Sequence, residues 1–279
     1  MTTRRRWLAD LAATSGVVGL AGCAGATPAT SGAEARTFLF IPGTWHGGWA
    51  WTPVCEALRA LGHRAFAATP TGVGERSHLA DPGVNLETHI RDILQIIEYE
   101  ELNDVVLVAH SFAGMTLTGV ADVLRERLAR LVFYDAFVPT RDRPAWVMRE
   151  ADGSWPAWWR KRQANFVDGY QMRFFEEYPI EMLVDPQRYP AVAALLRRRL
   201  SLHPAAAWTT PVSFANGGWE GLPRSYVHCT GQAYRRSSEA MWAPARGDGW
   251  HWVDYDVSRA GMLTHPQRTA ALLAGLPRA

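Results

Sequence analysis

The sequence predicts an α/β fold, in which a mostly parallel, doubly wound sheet carries a helical cap over one edge. Two patterns predict this fold. Apolar, β-rich runs alternate with amphipathic helical runs from residue 37 to residue 135, which is the rhythm of strand–helix–strand units. The rhythm stops between Pro139 and Pro223 and resumes with two further strands, which indicates an inserted cap at about 140–222.

The predicted elements follow in chain order. Strands are expected at 37–42, 64–68, 104–109, 130–135, 225–230 and 250–255, and helices at 50–61, 86–99, 112–125 and from about 266. Inside the cap, helical stretches are expected near 155–178 and 187–200. Right-handed crossovers bring the loops that follow parallel strands to one edge of the sheet, so we expect the chemistry there.

The composition is that of one globular domain with a large core. The chain has 279 residues, of which 48% are hydrophobic and 20% charged, and its net charge is +2. So small a net charge argues against a dominant electrostatic partner, and nucleic acid binding is not expected. No His-Glu-x-x-His, Cys-x-x-Cys or Gly-x-Gly-x-x-Gly motif occurs, so no metal and no cofactor are expected. The expected partner is a small-molecule substrate, and the oligomeric state stays open.

Residues 1–23 resemble an export signal. Three arginines, Arg4 to Arg6, precede an apolar run of small residues that ends in Leu-Ala-Gly-Cys23. The arginines are typical of a twin-arginine signal, and the last four residues are typical of a lipoprotein cleavage box with Cys23 as the lipidated residue. Residues 24–36 then form a flexible tether to a domain at 37–279. We expect an exported bacterial protein, periplasmic or held at a membrane only by a lipid anchor; the alternative is the tail of a cytosolic protein.

A candidate nucleophile, Ser111, lies between a predicted strand and a predicted helix. Ala109 and Ala113, two residues before and after it, are small enough to let strand and helix approach at a strained turn; the alternative is an ordinary turn. In an acyl-transfer site of this kind, two backbone N–H groups stabilise the oxyanion. The candidates are the N–H of Phe112, which follows the nucleophile, and that of Thr44, in the Gly-rich loop after the first strand.

The chain resembles the α/β-hydrolase superfamily, in the branch of plant methylesterases, hydroxynitrile lyases and bacterial esterase-like relatives. The motifs that carry the resemblance lie within residues 37–279: Gly43–Trp49, Thr71–His78, Leu86–Ile90, 109–114, Leu131–Pro139 and Met262–Pro266. The resemblance implies a hydrolase whose cap is inserted between the sixth and seventh strands of the sheet. Because this fold hosts many chemistries, it is less specific for the reaction.

Two of the departures from the family pattern bear directly on catalysis. Arg259 aligns with the catalytic histidine of the family, and Gln232 aligns with the catalytic aspartate of the plant members. A guanidinium stays protonated and has no lone pair, so Arg259 cannot accept a proton from a serine. Its charge needs a carboxylate partner, which is either Asp135 or an acid group of the ligand.

Other residues are candidates for the missing roles. His265 is the candidate base and Asp135 the candidate acid, while Asp135 alternatively has a structural role. Further histidines that could approach the pocket are His46, His110 and His251. Tryptophans of the cap favour an apolar or aromatic ligand. The candidate substrate-binding residues are Trp45, His46, Arg259, Trp158 and Trp159.

The predicted function is a serine hydrolase that acts on a small apolar or aromatic ester or lactone through Ser111 and a backbone oxyanion hole. The alternative is a non-hydrolytic member of the fold: a lyase, a cyclase or a ligand-binding pseudoenzyme. The alternative arises because catalysis without a triad base falls by roughly four to six orders of magnitude.

Overall fold

The structure, a computed structural model, describes residues 34–175, 177–231 and 239–278. Its strands are β1 (Thr37–Ile41), β2 (Arg64–Ala67), β3 (Val105–His110), β4 (Leu128–Tyr134), β5 (Gln171–Met172), β6 (His203–Pro204), β7 (Arg224–Cys229) and β8 (Trp250–Tyr255). Six of these strands form a parallel sheet in the order β2-β1-β3-β4-β7-β8, while β5 and β6 form an antiparallel pair. The predicted parallel α/β class is confirmed.

Helices cover both faces of the parallel sheet. The α-helices of the described residues are α1 (Thr52–Ala60), α2 (Leu86–Tyr99), α3 (Ala113–Val123), α4 (Ala157–Gln163), α5 (Pro190–Arg199), α6 (Ala206–Thr209), α7 (Glu239–Trp242), α8 (Gly261–Thr264) and α9 (Pro266–Ala274). Helix α2 begins with a capping box, in which the Asn85 side chain accepts from the Thr88 N–H at 3.1 Å.

The core lies on both faces of the sheet because every residue of β3 is buried. Side chains alternate between the two faces along a strand. Val106 and Val108 therefore pack into the cluster that contains residues of α1 and α9, whereas Leu107 and Ala109 pack into the cluster that contains residues of α2 and α3. This central strand leads directly to the candidate nucleophile.

The cap lies between β4 and β7. These are the fourth and fifth strands of the described parallel sheet, which has six strands. The helix predicted near 187–200 is present as α5, but the prediction near 155–178 was wrong beyond α4. Helix α4 ends at Gln163, and a left-handed turn at Asp168 and Gly169, with φ values of 52° and 77°, then lies between the bridged residues Val167 and Gln171 and directs the chain into β5.

The C-terminal part of the cap is anchored to α3 by one buried carboxylate. Asp122 accepts hydrogen bonds from the backbone N–H groups of Ala215, Asn216 and Gly218, at 3.1, 2.7 and 2.9 Å, and from the Ser213 hydroxyl at 2.8 Å. Hydrogen bonds to an ionised acceptor are stronger than those between neutral groups, so this contact fixes 213–218 against the helix.

Several predictions concern residues outside the described part of the chain. The export signal at 1–23 with Cys23, most of the tether at 24–36, and Gln232 belong to this group and stay predictions. Within the described residues, no helix is both long enough and apolar enough to cross a bilayer.

Candidate active site

Ser111 lies between β3 and α3 in a left-handed backbone conformation. Its φ is 56°, which is strained for a residue with a side chain and is typical of a nucleophile elbow. The turn is held from both sides, because the Ser111 N–H donates to the Tyr134 carbonyl at 3.4 Å and the Ser111 carbonyl accepts from the Phe137 N–H at 2.9 Å. Ala109 and Ala113 are buried beside it. Among the described residues Oγ has no hydrogen-bond partner, so it is available to a ligand.

Two backbone N–H groups beside the serine have no acceptor within the described chain. They belong to Thr44 and Phe112, both of which are buried. A buried N–H without an acceptor is costly, and an oxyanion is the acceptor that two convergent N–H groups suit best. The Thr44 hydroxyl is engaged separately, as it accepts from the Trp208 indole at 3.2 Å. Both N–H groups therefore have no acceptor in the described chain, and their role as oxyanion donors stays a prediction.

Gly43 lets the loop of Thr44 approach the nucleophile. A Cβ at this position would lie 2.9 Å from the Ser111 Cβ and 2.9 Å from the His110 Nδ1. Real Cβ atoms do not come so close to their neighbours, so any larger residue would push the loop away from the elbow. Within the Gly-rich turn, position 43 therefore requires glycine because there is no space for a side chain.

Ser111 opens into a cavity of about 400 Å³, a volume suited to a small molecule. The wall is largely aromatic. Its lining consists of Thr44, Trp45, His46, His110, Ser111, Phe137, Arg143, Trp146, Trp158, Phe174, Tyr178, Met182, Leu183, Trp208 and Arg259. Most of these residues come from the cap, which closes the cavity over the carboxyl ends of the strands.

Four of the five predicted substrate-binding residues line this cavity. Trp45 is fixed there by its indole N–H, which donates to the Met172 carbonyl at 3.1 Å. Trp158 lines the cavity and is 49% exposed, so it lies at the solvent side. Trp159 is outside the lining and 1% exposed; its ring stacks on Trp208 with centroids 6.0 Å apart. Trp159 therefore supports the wall from behind.

Arg259 lines the cavity that contains Ser111, and its charge is paired. Its Nη1 donates to Asp135 Oδ2 at 2.7 Å, with the arginine side chain 11% and the aspartate side chain 4% exposed. Asp135 follows β4 directly and has a φ of 44°. The pair thus occupies the place where the sequence resemblance implies a histidine, and the first of the two predicted partners of Arg259 is the one observed.

His265 and His251 are not among the residues that line the cavity. His265 caps α9, with its Nδ1 2.9 Å from the Thr264 hydroxyl and its Nε2 3.4 Å from the Tyr189 hydroxyl. His251 is an exposed residue of β8. In the described residues the structure therefore does not bring the predicted base together with Ser111, and its role stays a prediction.

His46 is a cavity histidine with a defined tautomer. Its Nδ1 lies 2.9 Å from the Thr44 carbonyl, and a carbonyl only accepts, so Nδ1 carries the proton and Nε2 carries the lone pair. Burial lowers the pKa of His46 to about 4, and the nearby charge of Arg259 lowers it as well, against an opposing effect of the hydrogen bond to Thr44. His46 is therefore neutral at pH 7.

His110 lies beneath the site rather than at its centre. Its ring is 2% exposed, and neither ring nitrogen has a hydrogen-bond partner within the described residues. Burial, followed by the charge of Arg259 and the neighbouring His46, lowers the pKa of His110 well below its usual value. The site therefore holds two neutral imidazoles and one paired guanidinium at neutral pH.

Acid is expected to destabilise the fold through His46. In the unfolded chain this histidine binds a proton near pH 6.5, but in the folded chain only near pH 4, so folding stability is lost as pH falls through this window. Between pH 7 and pH 5 the contribution is about 2 kcal/mol. Urea unfolding of wild type and His46→Gln at pH 7 and pH 5 measures this contribution. The variant should lose less stability than wild type on acidification. The control His78→Gln, at an exposed position, should lose as much as wild type. An unchanged loss in His46→Gln would contradict the expectation.

Some cavity residues were not predicted from the sequence. Arg143, Phe174 and Tyr178 line the cavity but come from irregular parts of the cap, where no periodic pattern reveals which side chains face inward. A cluster of aromatic residues in the cap is the one signal for Phe174 and Tyr178, and no sequence signal distinguishes Arg143 from other cap arginines.

Comparisons with known proteins identify the family of the chain. Residues 38–272 match the family model described as the alpha/beta hydrolase family. The chain is 35% identical over 246 residues to the carbendazim hydrolyzing esterase of Nocardioides sp., covering 86% of this chain and 98% of that protein. It is 28% identical over 218 residues to methylesterase 2 of Arabidopsis thaliana, covering 69% and 76% of the two chains.

Solved structures show the same fold. An extracellular alpha/beta-hydrolase from a Paenibacillus species, described as sharing structural and functional homology with tobacco salicylic acid binding protein 2, superimposes with a TM-score of 0.69 at 20% identity. The superposition covers 85% of this chain and 97% of that one. With the motif match over most of the domain, the elbow and the oxyanion loop, the chain belongs to the α/β hydrolase family, in its methylesterase-like branch of carboxylic-ester hydrolases.

Proposed function

We propose that the protein is a serine hydrolase that cleaves small aromatic or apolar carboxylic esters or lactones at Ser111. One observation carries the proposal: the strained serine faces an aromatic cavity between two buried N–H groups that have no acceptor in the described chain. An ester carbonyl placed there meets a nucleophile and an oxyanion hole together. The esterase names of the relatives support the same reaction class.

In the proposed reaction, the Ser111 Oγ attacks the ester carbonyl while its proton passes to a neutral base. The N–H groups of Thr44 and Phe112 stabilise the resulting oxyanion. The bond to the leaving oxygen then breaks, that oxygen takes the proton, and an acyl-enzyme remains, which water hydrolyses by the reverse steps. The atoms balance as ester plus water giving acid plus alcohol.

We assign the base to His46. Its Nε2 carries the lone pair, and it lines the same cavity as Ser111. A pKa of about 4 makes it a weaker base than a histidine near pH 7, so each turnover is expected to be slow. An oxyanion hole with substrate binding alone still supplies roughly 10³–10⁴-fold acceleration over water, so the site remains a catalyst.

A phosphonylating probe tests the proposal, because an activated phosphonate ester forms a stable bond preferentially with an activated nucleophile such as a catalytic serine. We expect wild type to gain one adduct, located on Ser111 by peptide mass spectrometry, and to hydrolyse a short aryl ester at a measurable rate. The Ser111→Ala protein should gain no adduct. Labelling of another residue, with Ser111 unmodified, would contradict the proposal.

A second function is favoured by the ion pair of Arg259 and Asp135. The Arg259 Nη1 lies 2.7 Å from Asp135 Oδ2, so the two charges pair with each other. The position of the catalytic triad is thus occupied by a stable ion pair that offers the serine no base. A member of this family with such a pair would bind a ligand, or act as a lyase or cyclase, rather than hydrolyse an ester. Binding of an aromatic ester without turnover, measured by calorimetry, would favour this function over the first.

A further inference from the structure

We propose that the substrate is an anionic ester whose free carboxylate is bound by Arg143 at the solvent side of the cavity. The inference rests on the proposed ester hydrolysis and narrows its substrate class to esters that carry a second, ionised acid group. It starts from the charges of the cavity wall, in which the lining contains two arginines and neither aspartate nor glutamate among the described residues.

The other cations near the cavity are neutralised by carboxylates. Arg259 is paired with Asp135. Arg162, which packs behind the wall 4.6 Å from the Trp208 ring, has its Nε 2.9 Å from Glu177 Oε2. Neither of these arginines therefore leaves a net charge for a ligand to compensate.

Arg143 has no such carboxylate. Its side chain forms no hydrogen bond and no ion pair within the described chain, and it is exposed. Hydrogen bonds from the Thr140 side chain and from its own backbone lower the pKa of the neighbouring, exposed Asp142, and the charge of Arg143 lowers it further, although the two side chains form no ion pair. Arg143 is thus the lining arginine whose guanidinium is not in direct contact with a carboxylate of the described chain, and a planar guanidinium suits a carboxylate, which it binds in a bidentate manner.

The backbone holds Arg143 in place at the cavity. Its N–H donates to the Thr140 carbonyl at 3.0 Å, and the Thr140 N–H donates back at 3.3 Å. The guanidinium lies 5.9 Å from the Trp146 ring, which stacks on Phe137 with centroids 4.1 Å apart. An aromatic ligand that lies along these two rings would place its acid group near Arg143 and its ester group deeper in the cavity, which also contains Ser111.

Two methyl esters that differ in one group test the proposal: methyl benzoate and monomethyl terephthalate, the second of which carries a para carboxylate. We expect wild type to favour the anionic ester at least about tenfold in kcat/KM, mainly through a lower KM, and less at high salt. Arg143→Gln should lower the ratio of the two kcat/KM values about tenfold. Arg160→Gln, which removes an exposed cation of the same cap, should leave the ratio as in wild type.

Two outcomes overturn the proposal: a wild type that favours the neutral ester, or an Arg143→Gln protein with an unchanged ratio. Failure of the proposed hydrolysis is a different result, in which wild type turns over neither ester. In that case, calorimetric titration with the same two esters tests the inference. Tighter binding of the anionic ester by wild type, together with loss of this preference in Arg143→Gln, supports the role of Arg143. Equal binding of the two esters by wild type refutes it.

Discussion

Arg259→His is expected to raise kcat/KM for a short aryl ester by about two to four orders of magnitude, the usual contribution of a well-placed general base. The substitution removes a side chain that cannot accept a proton and introduces an imidazole next to Asp135, which is 4% exposed in its side chain and positioned to orient it. Initial rates of wild type and variant, measured over a pH series, give the gain. An ascending limb near the pKa of an ordinary histidine should appear only in the variant.

Arg259→Gln is the matched control, because it removes the positive charge without adding a base. Its rate should remain within about tenfold of wild type because no base is gained or lost, while its urea midpoint should fall because the buried Asp135 carboxylate loses its partner. The gain in Arg259→His should also disappear when Asp135→Asn is added, since a neutral amide does not hold the imidazole as a carboxylate does. Equal rates in the histidine and glutamine variants would show that the position no longer contributes to proton transfer, and would favour a ligand-binding protein.

Ser111→Ala is expected to remove the measurable hydrolysis of wild type. In the Arg259→His background, where the rate is higher, the same substitution should lower kcat by about 10⁴ to 10⁶. Nucleophile and base act as one unit, so Ser111→Ala alone and Ser111→Ala with Arg259→His should have the same residual rate. Initial rates of the four proteins, wild type, the two single variants and the double variant, form the double-mutant cycle.

Ser77→Ala, an exposed serine in a surface turn, is the control for loss of a hydroxyl and should retain the wild-type rate. The urea midpoint of each protein shows whether a loss of rate reflects unfolding. If Ser111→Ala hydrolyses the ester as fast as wild type, the serine mechanism is wrong.

Local sequence patterns predicted the parts of the site that depend on nearby residues. The elbow at Ser111 and the loop at Thr44 follow from small residues and glycines next to strand ends, because the backbone conformation there is decided within a few positions. The alternation of strands and helices likewise predicted the parallel sheet. The place of Arg259 was implied by the family resemblance, because it aligns with the catalytic histidine, and in the structure it lies after the last strand.

Features that depend on distant residues were not predictable in this way. The helix after residue 155 ends at Gln163, and the left-handed turn at Asp168 and Gly169 that follows leads the chain into a short strand instead of continuing a helix to residue 178. His265 is only six residues beyond Arg259, but it caps α9 and faces Tyr189, a residue of the cap. Which side chains of the cap face the cavity depends on packing between segments that are far apart in sequence.

The anchor at Asp122 has a consequence for how substrates enter. Helix α3 begins two residues after Ser111 and ends one residue after Asp122, a length of about 16 Å. Because the cap segment at 213–218 is bound to the end of this helix, that segment and the nucleophile form one rigid unit. Adaptation to ligands of different size then has to come from the opposite part of the cap, around Trp158. Selection for new substrates should therefore alter that side first and leave the anchored side unchanged.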